Sequence, residues 1–288
     1  MREKILVTGA KGFIGSSMIK ALQKENYEII PCSRINLDLN DSQKVIAYIK
    51  ELRPDVVIHC ATYDAAPRFT KNKKELVFPR NTGMYNNLAQ ARKFFGKMIY
   101  FGSGAEFGRD LWGPQMKEED VGLVSYDDPY GFSKYMMNLH ANTTSNIYNL
   151  RLFSIFGEGD DWRYRTVSNL CCKKVLNKKL VIPVDQKRDF LYVKDLVNIV
   201  KTFISATPKQ HDYNLCSGEV LKNSDVALKL DKDFSYGGEV LPEYSGDNRR
   251  LLEEFPHIKF TPFDEALENM VNYYERVKPF IEKDKLEY

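Results

Sequence analysis

The sequence predicts an α/β fold: a doubly wound parallel sheet, followed by a smaller C-terminal α/β lobe. Through residue 156, short apolar runs alternate with segments that carry apolar residues at helical spacing. This alternation is typical of parallel sheets with helices on both faces. The run DVVIHC at 55–60 is almost wholly apolar, as strands buried on both faces are. We therefore expect helices on both faces of a buried sheet.

The elements follow one another in a regular order. We predict strands over 4–8, 27–32, 55–60, 97–102 and 148–153, and helices over 13–24, 41–52, 75–95 and 130–146. Asp41 or Ser42 is a good N-cap for the second helix. Beyond residue 156 the alternation is looser, with helices predicted over 166–177, 194–206, 223–229 and 264–276. We divide the chain into a domain 1–156 and a lobe 157–288, and allow some elements after 190 to return to the first domain.

Length and composition exclude several classes of protein. The chain has 288 residues, 43% apolar and 28% charged, so it can bury a sizeable core. Its net charge is +3, from 42 basic and 39 acidic residues spread along the chain, which disfavours a nucleic-acid partner. No apolar run reaches the roughly 20 residues of a membrane span. The N-terminus lacks the pattern of a signal peptide, and the five cysteines and four histidines lack metal-ligand spacing. We expect a protein of the reducing cytoplasm, without a metal or a membrane partner.

A glycine-rich turn joins the first predicted strand to the first predicted helix. Its three glycines stand at G-x-x-G-x-x-G spacing, which suits a tight turn, close approach of a pyrophosphate to the backbone, and helix-on-strand packing. The helix N-terminus adds unpaired N–H groups and the positive end of the helix dipole. In this context the turn predicts a Rossmann domain that binds a dinucleotide. The expected phosphate-binding residues are Gly9, Lys11, Gly12, Phe13, Ile14 and Gly15.

The end of the second predicted strand favours NADP over NAD. Enzymes that use NAD usually have Asp or Glu there to hold the ribose 2′-hydroxyl, whereas NADP needs positive charge for its 2′-phosphate. Here the tip reads Ser33-Arg34, without a carboxylate, and Lys11 could close on the same phosphate. The alternative is that Lys11 and Arg34 are ordinary solvated cations. We predict NADP(H) as the cofactor, with NAD(H) as the alternative.

A Tyr-x-x-x-Lys pair, Tyr130 and Lys134, begins the helix predicted over 130–146. Residues four apart share a helix face, and an ammonium near a phenol lowers the phenol pKa from about 10. Such a tyrosine can donate and accept a proton near neutral pH. Tyr274 and Lys278 have the same spacing, so spacing alone is weak evidence. The first pair is distinguished by Ser103, just past a predicted strand, whose hydroxyl could share a carbonyl oxygen with Tyr130.

The order of these motifs resembles that of the extended short-chain dehydrogenase/reductases, the group of nucleotide-sugar epimerases, dehydratases and reductases. The resemblance covers almost the whole chain. Its further positions are Asp38-Leu39, Ile58-His59-Cys60-Ala61, Asn81-Thr82-Gly83, Arg151-Leu152-Phe153, Phe156-Gly157, 188–195, Tyr213-Asn214-Leu215 and Ser217-Gly218-Glu219.

The resemblance implies roles for some of the matching residues. Ser103, Tyr130 and Lys134 would be catalytic. Besides the glycine turn, the cofactor ligands would be Ser33, Arg34, Asp38, Leu39, Cys60, Ala61, Asn81, Tyr130 and Lys134. A nucleotide-diphosphate sugar would contact Ser103, Arg188, and Ser154, where the family often has Asn. The structural alternative for Arg188 is a salt bridge to Asp189 or Asp195. A homodimer through the helices 75–95 and 130–146 is expected on the same basis.

The residues after Ser103 discriminate among the reactions of this family. Its 4,6-dehydratases carry Asp-Glu there, and its GDP-fucose epimerase-reductases carry a cysteine two residues after the serine. This chain has Gly104 and Ala105, so both activities are disfavoured. The tip Ser33-Arg34 favours reduction by NADPH of the C4 keto group of a nucleotide-diphosphate 4-keto-6-deoxy sugar. The alternatives are C4 epimerisation with retained NAD, and a non-catalytic cofactor-sensing or scaffold protein of the same fold.

Overall fold

The computed structural model describes residues 2–64, 72–122 and 127–287. Strands and helices alternate along the chain in the order β1 (Glu3–Thr8), α1 (Phe13–Leu22), β2 (Tyr27–Cys32), α2 (Ser42–Leu52), β3 (Val56–His59), α3 (Val77–Gln90), β4 (Lys97–Ser103), α4 (Pro129–Ala141), β5 (Ile147–Leu152), β6 (Ser154–Phe156), α5 (Thr166–Val175), β7 (Leu180–Tyr192), α6 (Val193–Ser205), β8 (Asp212–Leu215), β9 (Val220–Lys222), α7 (Asn223–Leu230), β10 (Phe234–Tyr244), α8 (Arg249–Glu254) and α9 (Phe263–Val277).

A six-stranded sheet in the order β2-β1-β3-β4-β5-β8 confirms the predicted Rossmann architecture. The pairs from β2 to β5 are parallel, and every residue of β3 and β5 is buried. β2 lies on one side of β1 and β3 lies on the other, so the strand order reverses at β1. In sheets of this kind ligands bind beyond the carboxyl ends of the strands at such a reversal.

Local side-chain hydrogen bonds set the ends of helices around this sheet. Asp41 caps α2 as predicted, because its Oδ1 accepts a hydrogen bond of 3.1 Å from the Lys44 N–H. The helix predicted over 130–146 is shorter, since α4 ends at Ala141. Thr143 and Thr144 each donate a hydroxyl hydrogen bond of 2.8 Å to the His140 carbonyl. Side chains that bond the backbone in this way compete with helix continuation. The helix predicted over 75–95 is α3 with a short 3-10 turn at each end.

The sequence predicted an α/β lobe but none of the strands of the second sheet. This sheet contains β10, β7 and β6 in that order, and β9 pairs antiparallel with β7. Both β7, with 13 residues, and β10, with 11, were missed as strands. Gly237-Gly238 interrupts β10 with a register shift, and a Cβ at Gly237 would lie 2.4 Å from the Pro183 carbonyl oxygen of β7. Because paired glycines are typical of turns, the sequence pattern concealed this strand.

The chain forms two compact units. The first comprises Met1–Leu111, Lys117–Leu152 and Ile199–Asn214, and the second comprises Trp112–Met116, Phe153–Asn198 and Leu215–Tyr288. The division falls after Leu152, because β6 pairs with β7 and not with the six-stranded sheet. Within the described residues, no helix is long and apolar enough to cross a membrane.

Candidate active site

The glycine turn after β1 has the shape that a phosphate-binding loop needs. Gly9 adopts φ +65°, a conformation that favours glycine. A Cβ at Gly15 would lie 2.3 Å from the Gly9 carbonyl oxygen, so α1 can approach the turn only with glycine at this position. Gly12 caps α1 without a side-chain hydrogen bond, and the first turn contains no acidic residue. The helix therefore begins with N–H groups available to an anion.

One cavity of about 360 Å³ lies beyond the carboxyl ends of β1, β2 and β3. All of its lining residues belong to the first unit. It is lined by Gly9, Lys11, Gly12, Cys32, Ser33, Arg34, Ile35, Leu37, Asp38, Leu39, Asn40, Cys60, Ala61, Thr62, Tyr63, Arg80 and Met84. The cavity lies at the point where the strand order reverses, as expected for a dinucleotide site.

Most of the predicted cofactor ligands line this cavity, and the others do not. Those that line it are Gly9, Lys11, Gly12, Ser33, Arg34, Asp38, Leu39, Cys60 and Ala61. Phe13, Ile14, Gly15, Asn81, Tyr130 and Lys134 are not among the lining residues. Phe13, Ile14 and Gly15 form the first turn of α1, so they shape the loop that presents Gly9 and Gly12. Cofactor contact by these residues stays a prediction.

Asn81 holds a loop in place rather than facing the cavity. Its Oδ1 accepts a hydrogen bond of 2.7 Å from the Tyr63 N–H, and its Nδ2 donates one of 3.0 Å to the Tyr63 carbonyl. The same Nδ2 lies 3.4 Å from Ser133 Oγ of α4. Asn81 is 2% exposed, so its polar groups are satisfied within the protein. It fixes the segment after β3 against α3 and α4.

Sequence reasoning missed Arg80, which also lines the cavity. The signal was its position directly before the motif Asn81-Thr82-Gly83. The cations of the described lining are therefore Lys11, Arg34 and Arg80, beside the single carboxylate of Asp38. This excess of positive charge suits an anionic ligand.

Ser103 is the last residue of β4 and caps the 3-10 turn that follows. Its N–H donates a hydrogen bond of 2.9 Å to Glu106 Oε1, and its Oγ accepts one of 3.2 Å from the Ala105 N–H. Since a hydroxyl has one donor and two acceptor positions, the Ser103 O–H can still donate to a substrate oxygen. The rigid turn fixes the position of that hydroxyl.

The start of α4 lies directly against this turn. A Cβ at Gly131 would lie 2.7 Å from the Ala105 carbonyl oxygen, so glycine permits the contact that brings Tyr130 to the Ser103 loop. Asp128 caps the helix by accepting a hydrogen bond of 3.1 Å from the Gly131 N–H. The structure thus brings the predicted catalytic helix and the predicted catalytic serine together.

Lys134 is almost completely buried, with 5% exposure. Its Nζ donates a hydrogen bond of 2.7 Å to the Phe101 carbonyl of β4 and lies 5.7 Å from the centre of the Tyr130 ring. Burial lowers the pKa of Lys134 to about 8, although the charges of Glu106 and Asp64 oppose this shift. The Lys134 ammonium is therefore held beside the Tyr130 ring.

A network of buried polar side chains holds Glu106, which belongs to the turn that follows Ser103. The sequence analysis did not predict this network. Arg151 of β5 donates hydrogen bonds to Glu106 (2.8 Å), Asn214 (2.9 Å) and Asp212 (3.0 Å). Arg151 and Glu106 are fully buried, and Asn149 also donates to Glu106 Oε2 at 3.1 Å. Burial raises the pKa of Glu106, while Arg151 opposes the shift. The motif Arg151-Leu152-Phe153 was the available signal, but no spacing rule links it to Glu106.

The predicted substrate residues Ser154 and Arg188 lie in the second unit. They lie on β6 and β7, where Ser154 is paired with Phe190. Arg188 Nε donates a hydrogen bond of 2.9 Å to Gln186 Oε1. The Asp189 carboxylate accepts from the Ser217 and Gly218 N–H groups, and Asp195 accepts from Thr261. Ser154 Oγ is buried without a hydrogen-bond partner among the described residues, and substrate contact by Ser154 and Arg188 stays a prediction.

Comparison with known sequences identifies the family. The family model described as the NAD-dependent epimerase/dehydratase family matches residues 5–216, which is more than half of the 288 residues. The chain belongs to this family. The predicted resemblance is confirmed, and the glycine turn, Ser103, Tyr130 and Lys134 all lie within the matched span.

Individual known proteins resemble the chain over most of its length. A dTDP-4-dehydro-6-deoxy-D-allose reductase from Streptomyces sp is 24% identical over 257 residues, which cover 77% of this chain and 78% of the relative. The crystal structure of a UDP-glucose 4-epimerase from Thermotoga maritima with UDP-glucose has a TM-score of 0.81 at 19% identity, covering 95% of this chain and 99% of the other. GDP-mannoheptose C4 reductase from Campylobacter jejuni, with NADP bound, also has a TM-score of 0.81, at 18% identity and with coverage of 96% and 98%. These similarities confirm the fold of the family.

Proposed function

We propose that the protein reduces the C4 keto group of a nucleotide-diphosphate 4-keto-6-deoxy sugar with NADPH. The observation that carries the choice is the end of β2, where Ser33 and Arg34 line the cavity in the place where NAD enzymes usually have a carboxylate. The similarity to a reductase of a dTDP-4-keto sugar supports the same reaction. Among the reactions of the NAD-dependent epimerase/dehydratase family, the proposed one is therefore a net reduction of the substrate.

The residues around the cavity fit a dinucleotide. Gly9, Gly12 and the start of α1 hold its pyrophosphate, while Lys11 and Arg34 supply charge for a 2′-phosphate. A reduced nicotinamide bound there would supply the hydride for C4 of the sugar. The buried Arg80 Nε, which has no hydrogen-bond partner among the described residues, is a donor that an anionic cofactor would satisfy.

The protein's own residues complete the reaction at the carbonyl oxygen. Tyr130 donates its phenol proton to the oxygen as negative charge develops there. The Ser103 hydroxyl donates a hydrogen bond to the same oxygen, and a preorganised donor of this kind is worth about 3–4 kcal/mol of transition-state stabilisation. Lys134, held by the Phe101 carbonyl, keeps positive charge beside the phenol and favours proton release.

Arg188 and Ser154 are the proposed contacts to the rest of the substrate. The Arg188 guanidinium can bind a diphosphate through two parallel hydrogen bonds. The Ser154 hydroxyl, buried without a partner among the described residues, replaces the amide that many family members have.

The second candidate is C4 epimerisation with retained NAD, which the same Ser103, Tyr130 and Lys134 could perform. The similarity of fold to a UDP-glucose 4-epimerase is compatible with this second candidate. An epimerase consumes no cofactor over a full turnover, whereas a reductase oxidises one NADPH for each product. Cofactor stoichiometry therefore separates the two reactions.

The test is the absorbance of NADPH, and then of NADH, with a panel of enzymatically generated CDP-, GDP-, dTDP- and UDP-4-keto-6-deoxy sugars. We expect stoichiometric oxidation of NADPH by one of them, which also identifies the nucleotide. Conversion of a plain nucleotide hexose into its C4 epimer, with no keto sugar oxidising either cofactor, would instead establish the epimerase.

Tyr130→Phe tests the assignment of the proton donor. We expect turnover to fall by about 10²–10⁴-fold, because a positioned general acid contributes about that factor, while cofactor affinity remains nearly unchanged. Tyr274→Phe is the matched control, since Tyr274 shares the spacing to Lys278 but lies in α9. Equal activity of the Tyr130→Phe protein and the wild type would exclude Tyr130 as the proton donor.

A further inference from the structure

We propose that Arg80 binds the pyrophosphate of the dinucleotide, an assignment that rests on the cofactor site of the proposed function. Arg80 lies in the first turns of α3 and lines the cavity. It belongs to none of the motifs that the sequence analysis singled out.

The hydrogen bonding of the Arg80 side chain indicates that it binds an anion. Its Nε is buried and has no hydrogen-bond partner among the described residues. A buried donor that is left unpaired costs free energy, and guanidinium groups match phosphate oxygens through paired N–H donors. The only carboxylate in the described cavity lining, Asp38, instead accepts a hydrogen bond of 3.0 Å from the Asn40 N–H. A ligand phosphate would satisfy the Arg80 donor.

The Arg80 side chain rests on a rigid platform. Its Cζ lies 5.3 Å from the centre of the Tyr63 ring, a distance typical of cation–π stacking. The next residue, Asn81, holds both the N–H and the carbonyl of Tyr63. The Tyr63 hydroxyl accepts a further hydrogen bond of 2.9 Å from the Lys73 N–H. Because the ring is fixed at both ends, the guanidinium is held in one place before a ligand arrives.

The strand order decides which phosphate Arg80 meets. Tyr63 follows β3, whereas Arg34 follows β2, and β1 lies between these two strands. Neighbouring strands are about 4.8 Å apart, so the tips of β2 and β3 are separated by about 10 Å. The pyrophosphate site at the glycine turn follows β1, which lies next to both β2 and β3. The turn contacts the segment after β3, since a Cβ at Gly9 would lie only 2.7 Å from the Ala61 N. Arg80 is therefore on the pyrophosphate side, and the 2′-phosphate belongs to Arg34.

This assignment predicts that Arg80 contributes equally to the binding affinities for NADP and for NAD. Both dinucleotides contain the pyrophosphate, and only NADP carries the 2′-phosphate. Calorimetric titration of Arg80→Met with NADP⁺ and with NAD⁺ should show about a 10- to 100-fold loss of affinity for each, the range expected for a lost hydrogen bond to a charged group. The ratio of the two affinities should stay at its wild-type value. Arg80→Lys, which keeps the charge but not the paired donors, should recover part of the loss.

Two control variants make the result specific. Arg34→Met should lower affinity for NADP⁺ and leave NAD⁺ nearly unchanged. Arg92→Met removes an exposed arginine beyond the other end of α3 and should change neither affinity.

A change confined to NADP⁺ in Arg80→Met would move Arg80 to the 2′-phosphate and overturn the assignment, as would unchanged binding of both dinucleotides. Adenosine, which has no phosphate, should bind wild type and Arg80→Met alike, and an equal loss for adenosine would show stacking on the base instead. If wild-type protein binds neither dinucleotide, the proposed function itself fails.

Discussion

At the residue scale, the proposed chemistry depends on groups whose properties are set by burial. The spacing of Tyr130 and Lys134 is visible in the sequence, but the pKa of Lys134 is not. It is lowered to about 8, first because the side chain is buried and despite the opposing charge of Glu106. Lys134 is therefore charged at neutral pH and close to losing its proton.

This pKa predicts how activity depends on pH. A lysine with a pKa of about 8 is protonated below that value and becomes neutral as the pH rises past it. We expect kcat/KM, which reports the pKa values of the free enzyme, to fall above about pH 8 with the loss of one proton. Lys134→Arg retains a charge that does not titrate in this range, so its descending limb should move to higher pH. A wild-type profile that stays flat to pH 9.5, or a limb that Lys134→Arg leaves in place, would contradict this origin.

At the element scale, the junction between β1 and α1 shows how much a motif alone can predict. The three glycines predicted a phosphate-binding turn, and the positive φ of Gly9 and the close approach at Gly15 give its physical reasons. The same reasoning failed for β10, where Gly237-Gly238 lies inside a strand. A glycine pair looks alike in both settings, because its role depends on the backbone that packs against it.

Gly15→Ala tests the close approach at the start of α1. The added Cβ would lie 2.3 Å from the Gly9 carbonyl oxygen, so the turn or the helix must shift. We expect at least about a tenfold loss of NADP⁺ affinity and a lower melting temperature, because overpacking commonly costs about 1–3 kcal/mol. Gly113→Ala is the control, since a Cβ there meets nothing within 4 Å. Wild-type affinity and stability in Gly15→Ala would refute the packing role.

At the scale of the whole molecule, a buried ion network joins distant parts of the chain. Glu106 follows β4, Arg151 lies on β5, and Asp212 lies on β8. The two ion pairs, at 2.8 and 3.0 Å, have almost no solvent access. The predicted homodimer stays a prediction that the molecular mass in solution can test. Met136 and Leu139 of α4 are exposed apolar residues on one of the helices concerned.

Arg151→Met tests the network. Removing the cation leaves the Glu106 charge buried without its main partner, a change that costs about 3–5 kcal/mol in other proteins. We expect a loss of this size in the free energy of unfolding, measured by urea denaturation. Lys44→Met removes the exposed pair with Asp41 and should cost less than about 1 kcal/mol. Equal stability losses in the two variants would mean that burial does not strengthen the Arg151 pairs.

The sequence by itself determined the features that depend on residues close together in the chain. These are the strand–helix alternation, the cap at Asp41, the glycine turn, and the Tyr130–Lys134 spacing. Only the tertiary structure decided the features that join distant residues: the pocket position of Arg80, the burial that lowers the Lys134 pKa, and the partnership of Glu106 with Arg151. The physical reason is that periodicity and capping act over a few residues of backbone. Burial and charge pairing arise instead from elements that the sheet brings together, and no spacing in the sequence encodes which of them will touch.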